Sequence, residues 1–162
     1  MYPELQDLLY QAEREYLEDP KLEELKTHAS YISLALQTYE ILRDREIEIF
    51  QAVADGLVNL FPNEQEQVLK SALKHWLLVM RYSAMAMLTH NPEFLQHRLL
   101  EWLTGIVQAG QTANIEQTLC KLLQNKLAEV LEKEQLQAIQ PFIELSKTTL
   151  FNGNKVTGGS GK

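Results

Sequence analysis

Residues 63–89 read NEQEQVLKSALKHWLLVMRYSAMAMLT, a stretch without glycine or proline and rich in leucine, methionine and alanine. These are strong helix formers, and at 1.5 Å per residue they predict a rod of roughly 40 Å. Val68, Leu69, Ala72 and Trp76 fall at helical spacing, so the first third is amphipathic. From Trp76 to Leu88 the side chains are apolar nearly all round, interrupted by Arg81 and Ser83. A helix of that kind is buried by other helices or by lipid. The apolar run is about 13 residues and contains Arg81, short of the roughly 20 a bilayer requires, so other helices are expected to cover it.

Upstream, Pro3 suits a first helical turn, and Leu5, Leu8, Leu9, Ala12 and Tyr16 follow at three-to-four spacing. Asp19-Pro20 reads as a cap and first turn of a second helix, whose apolar row continues to Leu60. That row is too long for one straight helix, and a break is predicted at the charged residues 42–46. Pro62 ends the segment and Asn63 is expected to cap the long helix.

Downstream, Asn91-Pro92 starts another helix, with Leu95, Leu99, Trp102, Leu103 and Ile106 predicted to face inward until Gly110 stops it. Asn114 is read as the cap of the next, which presents Leu119, Leu122, Leu123, Leu127, Val130 and Leu131. A last helix is expected from about residue 135 to 149, kinked at Pro141. No window alternates as a strand does. Seven or eight unequal helices around one long buried helix predict an all-α, globin-like fold rather than a four-helix bundle. One domain is expected over residues 1–151, with a disordered Gly/Ser-rich tail over 152–162.

The 162 residues suffice for one domain with a sizeable core, and a single cysteine, Cys120, excludes a disulfide framework or a cysteine-rich zinc site. The N-terminus lacks the basic start and unbroken apolar run of a secretory signal, so the chain reads as cytoplasmic, with no transmembrane segment. The net charge of −7 is unevenly placed: residues 1–66 carry fifteen acidic and five basic side chains. That balance argues against nucleic acid as a partner. It reads as solvated helix faces or as an acidic face offered to a protein.

No phosphate-cradling glycine loop, nucleophile elbow, HExxH or EF-hand loop occurs, so the chain reads as a non-enzyme. The carboxylates are predicted on solvent faces, and Cys120 reads as a buried, inert thiol. His75, His90 and His97 lie on or just after the long helix, where a histidine can ligate haem, although His97 falls on the polar side. Trp76, Trp102, Met80, Met85 and Met87 read as core or as the lining of a flat ligand's pocket.

Taken in order, AEREYL after the first helix, GLVNLFP before the long helix, VMRYSAMAML on it and LQHRLLEWLTGIVQAG after it resemble the phycobilisome protein family, the phycocyanins and allophycocyanins. Met80-Arg81-Tyr82 matches a leucine-arginine-tyrosine-like signature on the chromophore helix. Leu95-Gln96-His97-Arg98 matches a leucine-to-arginine step on the next. The resemblance covers about residues 3–150. It implies a globin-like fold with an N-terminal helical extension, and a role in light harvesting through an open-chain bilin held by a thioether.

Registered on Arg81, the family's bilin cysteine falls on Ala72. Its following arginine falls on Lys74, and the aspartate that holds the pyrrole nitrogens falls on His75. The resemblance therefore implies a member without covalent bilin at Ala72. Lys74, His75 and Trp76 remain as candidates for reversible, non-covalent tetrapyrrole binding, of bilin or haem, in a carrier, chaperone or sensor. It also implies assembly, because the family's extension docks on a partner subunit and an acidic residue there pairs with the arginine of the partner's long helix. Glu13 and Arg81 stand at those places, with Leu9 and Tyr16 beside Glu13. The expected function is that of a non-enzymatic accessory factor in assembly, turnover or regulation of the photosynthetic apparatus. The expected partners are phycobiliprotein subunits, in a homodimer or heterodimer, or photosystem and thylakoid complexes, with the chain cytoplasmic and peripheral to the thylakoid membrane.

Overall fold

In the computed structural model, which describes residues 2–152, all regular structure among the described residues is helical. Helix α1 (Pro3–Ala12) leads into α2 (Asp19–Asp44) and α3 (Glu46–Leu60). The long central helix is α4 (Glu66–Thr89). Then α5 (Pro92–Leu95) passes through a π-helical turn (Gln96–Leu100) into α6 (Glu101–Ala109), followed by α7 (Ala113–Val130) and α8 (Lys133–Asn152). No described helix is long and apolar enough to cross a membrane.

The core is built around α4, which packs on α2, α3, α5, α7 and α8. Trp76, Val79, Met80, Ala86 and Met87 are completely or almost completely buried, and between Trp76 and Leu88 only Arg81 is exposed. Each fully buried Leu, Met or Val contributes about 1.5–3 kcal/mol of transfer free energy, which is why this helix organises the rest. The result is the expected all-α, globin-like arrangement with an N-terminal helical extension.

Several boundaries differ from the sequence reading. The break between α2 and α3 falls at Arg45, as predicted. The long helix begins at Glu66 rather than Asn63, because residues 61–65 form a turn in which Glu64 N–H donates to the Phe61 carbonyl. Glu18, not Asp19, is the N-cap of α2, and Thr112, not Asn114, that of α7. Asn91 does cap α5, its side chain accepting from the Phe94 N–H at 3.2 Å. Gly110 follows α6 with an ordinary helical φ, and Gln111 takes the left-handed conformation that turns the chain. Helix α8 continues through Pro141, which lies on the exposed face, so the Gln137 carbonyl that loses its donor is also on the water side. It extends to Asn152, and the remainder of the predicted tail lies outside the described residues.

Trp102 and Ile106 are not in the core, being 46% and 47% exposed. The cause is the π turn, in which the Glu101 N–H reaches back to the Gln96 carbonyl. The wider turn stretches the buried row to a spacing of four, through Leu95, Leu99, Leu103 and Val107. Trp102 and Ile106 are left on the outer face, where the indole N–H donates to the Arg98 carbonyl at 2.8 Å.

The N-terminal arm folds back on its own chain by one face. Tyr2 and Leu8 are buried, and the Tyr2 hydroxyl donates to the Leu88 carbonyl at 2.6 Å, near the end of α4. The Tyr2 ring stacks on His90, with Tyr31 edge-on to both. The Lys21 ammonium donates to the Gln11 side-chain carbonyl and ties the start of α2 to the end of α1.

Candidate functional site

The first half of α4, the end of α6, the Gly110–Thr112 loop and the first turn of α7 enclose an open cleft of about 320 Å³. It is lined by the apolar Val68, Ala72 and Ile106, by the polar Gln65, Gln67, Ser71 and Thr112, and by His75 with Glu116. The sequence reading put every carboxylate on a solvent face. Glu116 overturns that, since it is completely buried. The signal was present: Glu116 stands three residues before Leu119 and seven before Leu123, on the apolar row of α7.

A buried carboxylate requires donors, and α4 supplies two from consecutive residues. The Trp76 indole N–H donates to Glu116 Oε2 at 2.6 Å, and His75 Nδ1 lies 2.8 Å from Oε1. With the carboxylate ionised, Nδ1 is the donor of that contact, since a carboxylate only accepts. The first turn of α7 adds the positive end of a helix dipole around Glu116. With Nδ1 committed, His75 turns Nε2 away from Glu116. The side chain is 19% exposed, lines the cleft, and makes no hydrogen bond through Nε2 among the described residues.

The three candidate ligand residues therefore differ in position. His75 faces the cleft. Trp76 lies beneath it in the core, stacked on Phe151 with ring centres 5.8 Å apart, and acts on the cleft only through Glu116. Lys74 is exposed and is not part of the lining. Ala72, at the position where the resemblance places the bilin-bearing cysteine, is almost completely buried in the cleft wall and offers only a methyl group. Cys120 lines a different cleft, between α7 and α8, and burial pushes its thiol up to about 12. None of the residues lining the first cleft carries a thiol.

The candidate partner residues lie elsewhere. Leu9 is 51% and Tyr16 100% exposed, and Glu13 sits on the C-terminal end of α1. The expected row Leu5–Tyr16 thus buries only Leu8 among its large side chains, since α1 ends at Ala12 and Tyr16 lies beyond it. Arg81 is engaged within its own chain: its guanidinium donates to Glu46 of α3 through Nη2 at 2.5 Å and Nε at 3.1 Å. The pair edges a groove of about 280 Å³ between α2 and α4, floored by Leu42, Met80 and Ala84.

No curated protein compared with this chain matches it. The family model described as "Phycobilisome protein" matches residues 9–150, most of the chain and every element from α2 to α7, and on that match the chain belongs to the phycobilisome protein family.

Proposed function

We propose that this chain is a phycobilisome-type scaffold without covalent bilin, acting as a non-enzymatic accessory factor in assembly, turnover or regulation of the photosynthetic apparatus. The observation that carries the reading is Ala72, a methyl group in the cleft wall where a thioether needs a thiol. The replacement of a carboxylate by His75 next to it supports the same conclusion, since imidazole cannot accept from several pyrrole N–H groups at once.

In this reading the function lies in docking. The exposed side of the arm, with Leu9, Glu13 and Tyr16, meets the α2–α4 groove edged by Arg81 on a second copy or on a phycobiliprotein subunit. Glu13 would then join or replace Glu46 at the guanidinium. Thylakoid complexes, approached from the cytoplasmic side, are the other partner class. The test is the solution mass of the full chain and of a chain lacking residues 1–18, by light scattering at micromolar concentration. Docking through the arm predicts a drop to monomer mass, or loss of capture by purified phycobiliprotein subunits. Unchanged mass and capture would overturn it. A pigment that stays with the chain through denaturing electrophoresis, after expression in a bilin-producing host, would overturn the absence of covalent bilin.

A second reading, reversible tetrapyrrole binding, is favoured by the cleft itself, where His75 stands beside the apolar side chains of Val68, Ala72 and Ile106. Visible spectra recorded before and after addition of bilin or haem test it. A band that follows the protein through gel filtration supports it, and its absence with both ligands overturns it.

A further inference from the structure

One face of α6 is left open by the described residues. The helix packs on α7, α8 and the π turn through Leu103 and Val107, and it turns Trp102, Gly105, Ile106 and Ala109 outward. At about 100° per residue these four share one stripe about 100° wide, the width of face by which a helix beds on another element. Arg98 extends the stripe by one turn and is its only charge. Trp102 and Ile106, both half-exposed, make it apolar.

Gly105 indicates what covers the face. A glycine inside a helix costs about 1 kcal/mol relative to alanine. Within the chain nothing calls for it: φ at Gly105 is not positive, and nothing stands within 4 Å of the place a Cβ would take. A bare helical residue in open space is suited to close approach by a second backbone. The side chain that fits the hollow is on the same face: Trp102, whose indole N–H donates to the Arg98 carbonyl at 2.8 Å and so holds the ring. A face that carries both knob and hollow is complementary to itself, the condition for isologous pairing. An antiparallel copy placed with Trp102 opposite Gly105 also sets Arg98 opposite Ala109, because Arg98 precedes Trp102 by as many residues as Ala109 follows Gly105. Arg98 forms no ion pair among the described residues, and Glu101 beside it is engaged by His97 at 2.6 Å. Beyond the Ile106 carbonyl, which the Gly110 N–H caps, the last carbonyls of α6 take no backbone donor among the described residues. The guanidinium of one copy therefore meets the negative end of the other copy's helix.

We propose that α6 is a self-association surface, which pairs antiparallel with α6 of a second copy of this chain. Trp102 of each copy sits on Gly105 of the other, and Arg98 of each on the other's carbonyl end. The surface shares no residue with the N-terminal arm or the α2–α4 groove, so the inference goes beyond the docking proposed above and stands without it. A nine-residue helix is only about 14 Å long. Its face falls short of the roughly 1,200 Å² that a stable pair buries, so the pairing is of the weak, reversible class.

The test is sedimentation equilibrium of the full chain from about 10 μM to about 1 mM, with iodide quenching of tryptophan emission at the same concentrations. Trp76 is completely buried, so the component open to iodide is Trp102. The expected result is a mass that rises with concentration while Trp102 becomes shielded from iodide. Gly105→Gln fills the hollow at a place where the chain itself has room, and should weaken association about 10-fold or more with the fold intact in urea unfolding. Arg98→Glu should weaken it as well, by setting an acid against the negative helix end. Glu13→Arg, in the arm, should leave the shielding of Trp102 as it is. Constant exposure of Trp102 across the range overturns the pairing, and a rise in mass without shielding assigns the assembly to the arm instead. Association unaltered by both Gly105→Gln and Arg98→Glu overturns it too.

Discussion

The Trp76 indole N–H and the Glu116 carboxylate meet at 2.6 Å where neither side chain reaches solvent, joining the middle of α4 to the first turn of α7. A buried carboxylate costs free energy unless its donors are in place, so this contact holds two helices in one register and fixes the neighbouring His75 ring. Stability and the shape of the cleft therefore share one set of hydrogen bonds.

Glu116→Ala is expected to destabilise the fold by about 2–4 kcal/mol, from an orphaned indole N–H and a small cavity. Glu116→Gln and Trp76→Phe should each cost less. Their double mutant should deviate from additivity by about 1–3 kcal/mol in urea unfolding, because the two side chains touch. Strict additivity would mean that the contact contributes nothing.

Alkaline pH should loosen the chain from two identifiable places. Burial pushes the Cys120 thiol from 9.0 up to about 12, and burial, with the neighbouring Tyr2, pushes the Tyr31 phenol from 10.0 up to about 12. Both groups become anions on losing a proton, which the folded chain resists and the unfolded chain does not. Their stabilising contribution is complete below the unfolded values and is lost as pH rises from about 9 towards 12. The melting temperature should fall in that window, and Cys120→Ala should flatten the first part of the fall. At pH 8 a thiol reagent should react with the native protein far more slowly than with the unfolded chain.

Tyr2→Ala should free the arm with little effect on the rest. It removes the hydrogen bond to the Leu88 carbonyl and the stacking on His90. Amide exchange in α1 should become easier by about 2 kcal/mol, with α4 and α7 unaffected. Equal acceleration across all helices would show instead that the arm belongs to the global folding unit.

Gly105 lies in α6 with nothing within 4 Å of the position a Cβ would take. Gly105→Ala should therefore raise stability by about 1 kcal/mol, seen as a higher urea midpoint at unchanged slope. Gly56→Ala is the informative contrast, since its Cβ would stand 3.3 Å from two Leu122 methyl carbons and the helical gain is offset by crowding between α3 and α7. It should be nearer neutral.

The elements that could be read from the sequence were those set by composition and punctuation. The all-helical class, the burial of residues 76–88 around Arg81, the division at Arg45 and the Asn91 cap arise from helix formers, breakers and caps. The register of the row from Leu95 to Val107 was not readable, because a π turn leaves no composition signal and shifts every residue after it. At the site, Ala72 and His75 stood out through the family resemblance, but Glu116 was missed by treating charge as a synonym for exposure. Its place on the Leu119–Leu123 row marked it as buried. The partner of Arg81 was not legible either, since Glu46 is 35 residues away in sequence and meets it only because α3 and α4 fold together.

The π turn at Gln96–Leu100 works as a phase shifter for the helix downstream of it. Each residue added to or removed from a helix rotates the downstream part by about 100°. Deleting one residue together with the turn would leave the downstream faces as they are. Tightening the turn to ordinary α winding at unchanged chain length would carry Trp102 and Ile106 towards the interior and bring Leu103 and Val107 towards water. The outer wall of the cleft would go with Ile106, while His75, Glu116 and Trp76 stayed in place. The winding of one turn thus separates a chain whose cleft is lipped by Ile106 from one that lacks that lip over the same histidine, and a change at residues 96–100 reshapes the cleft without altering a residue that lines it.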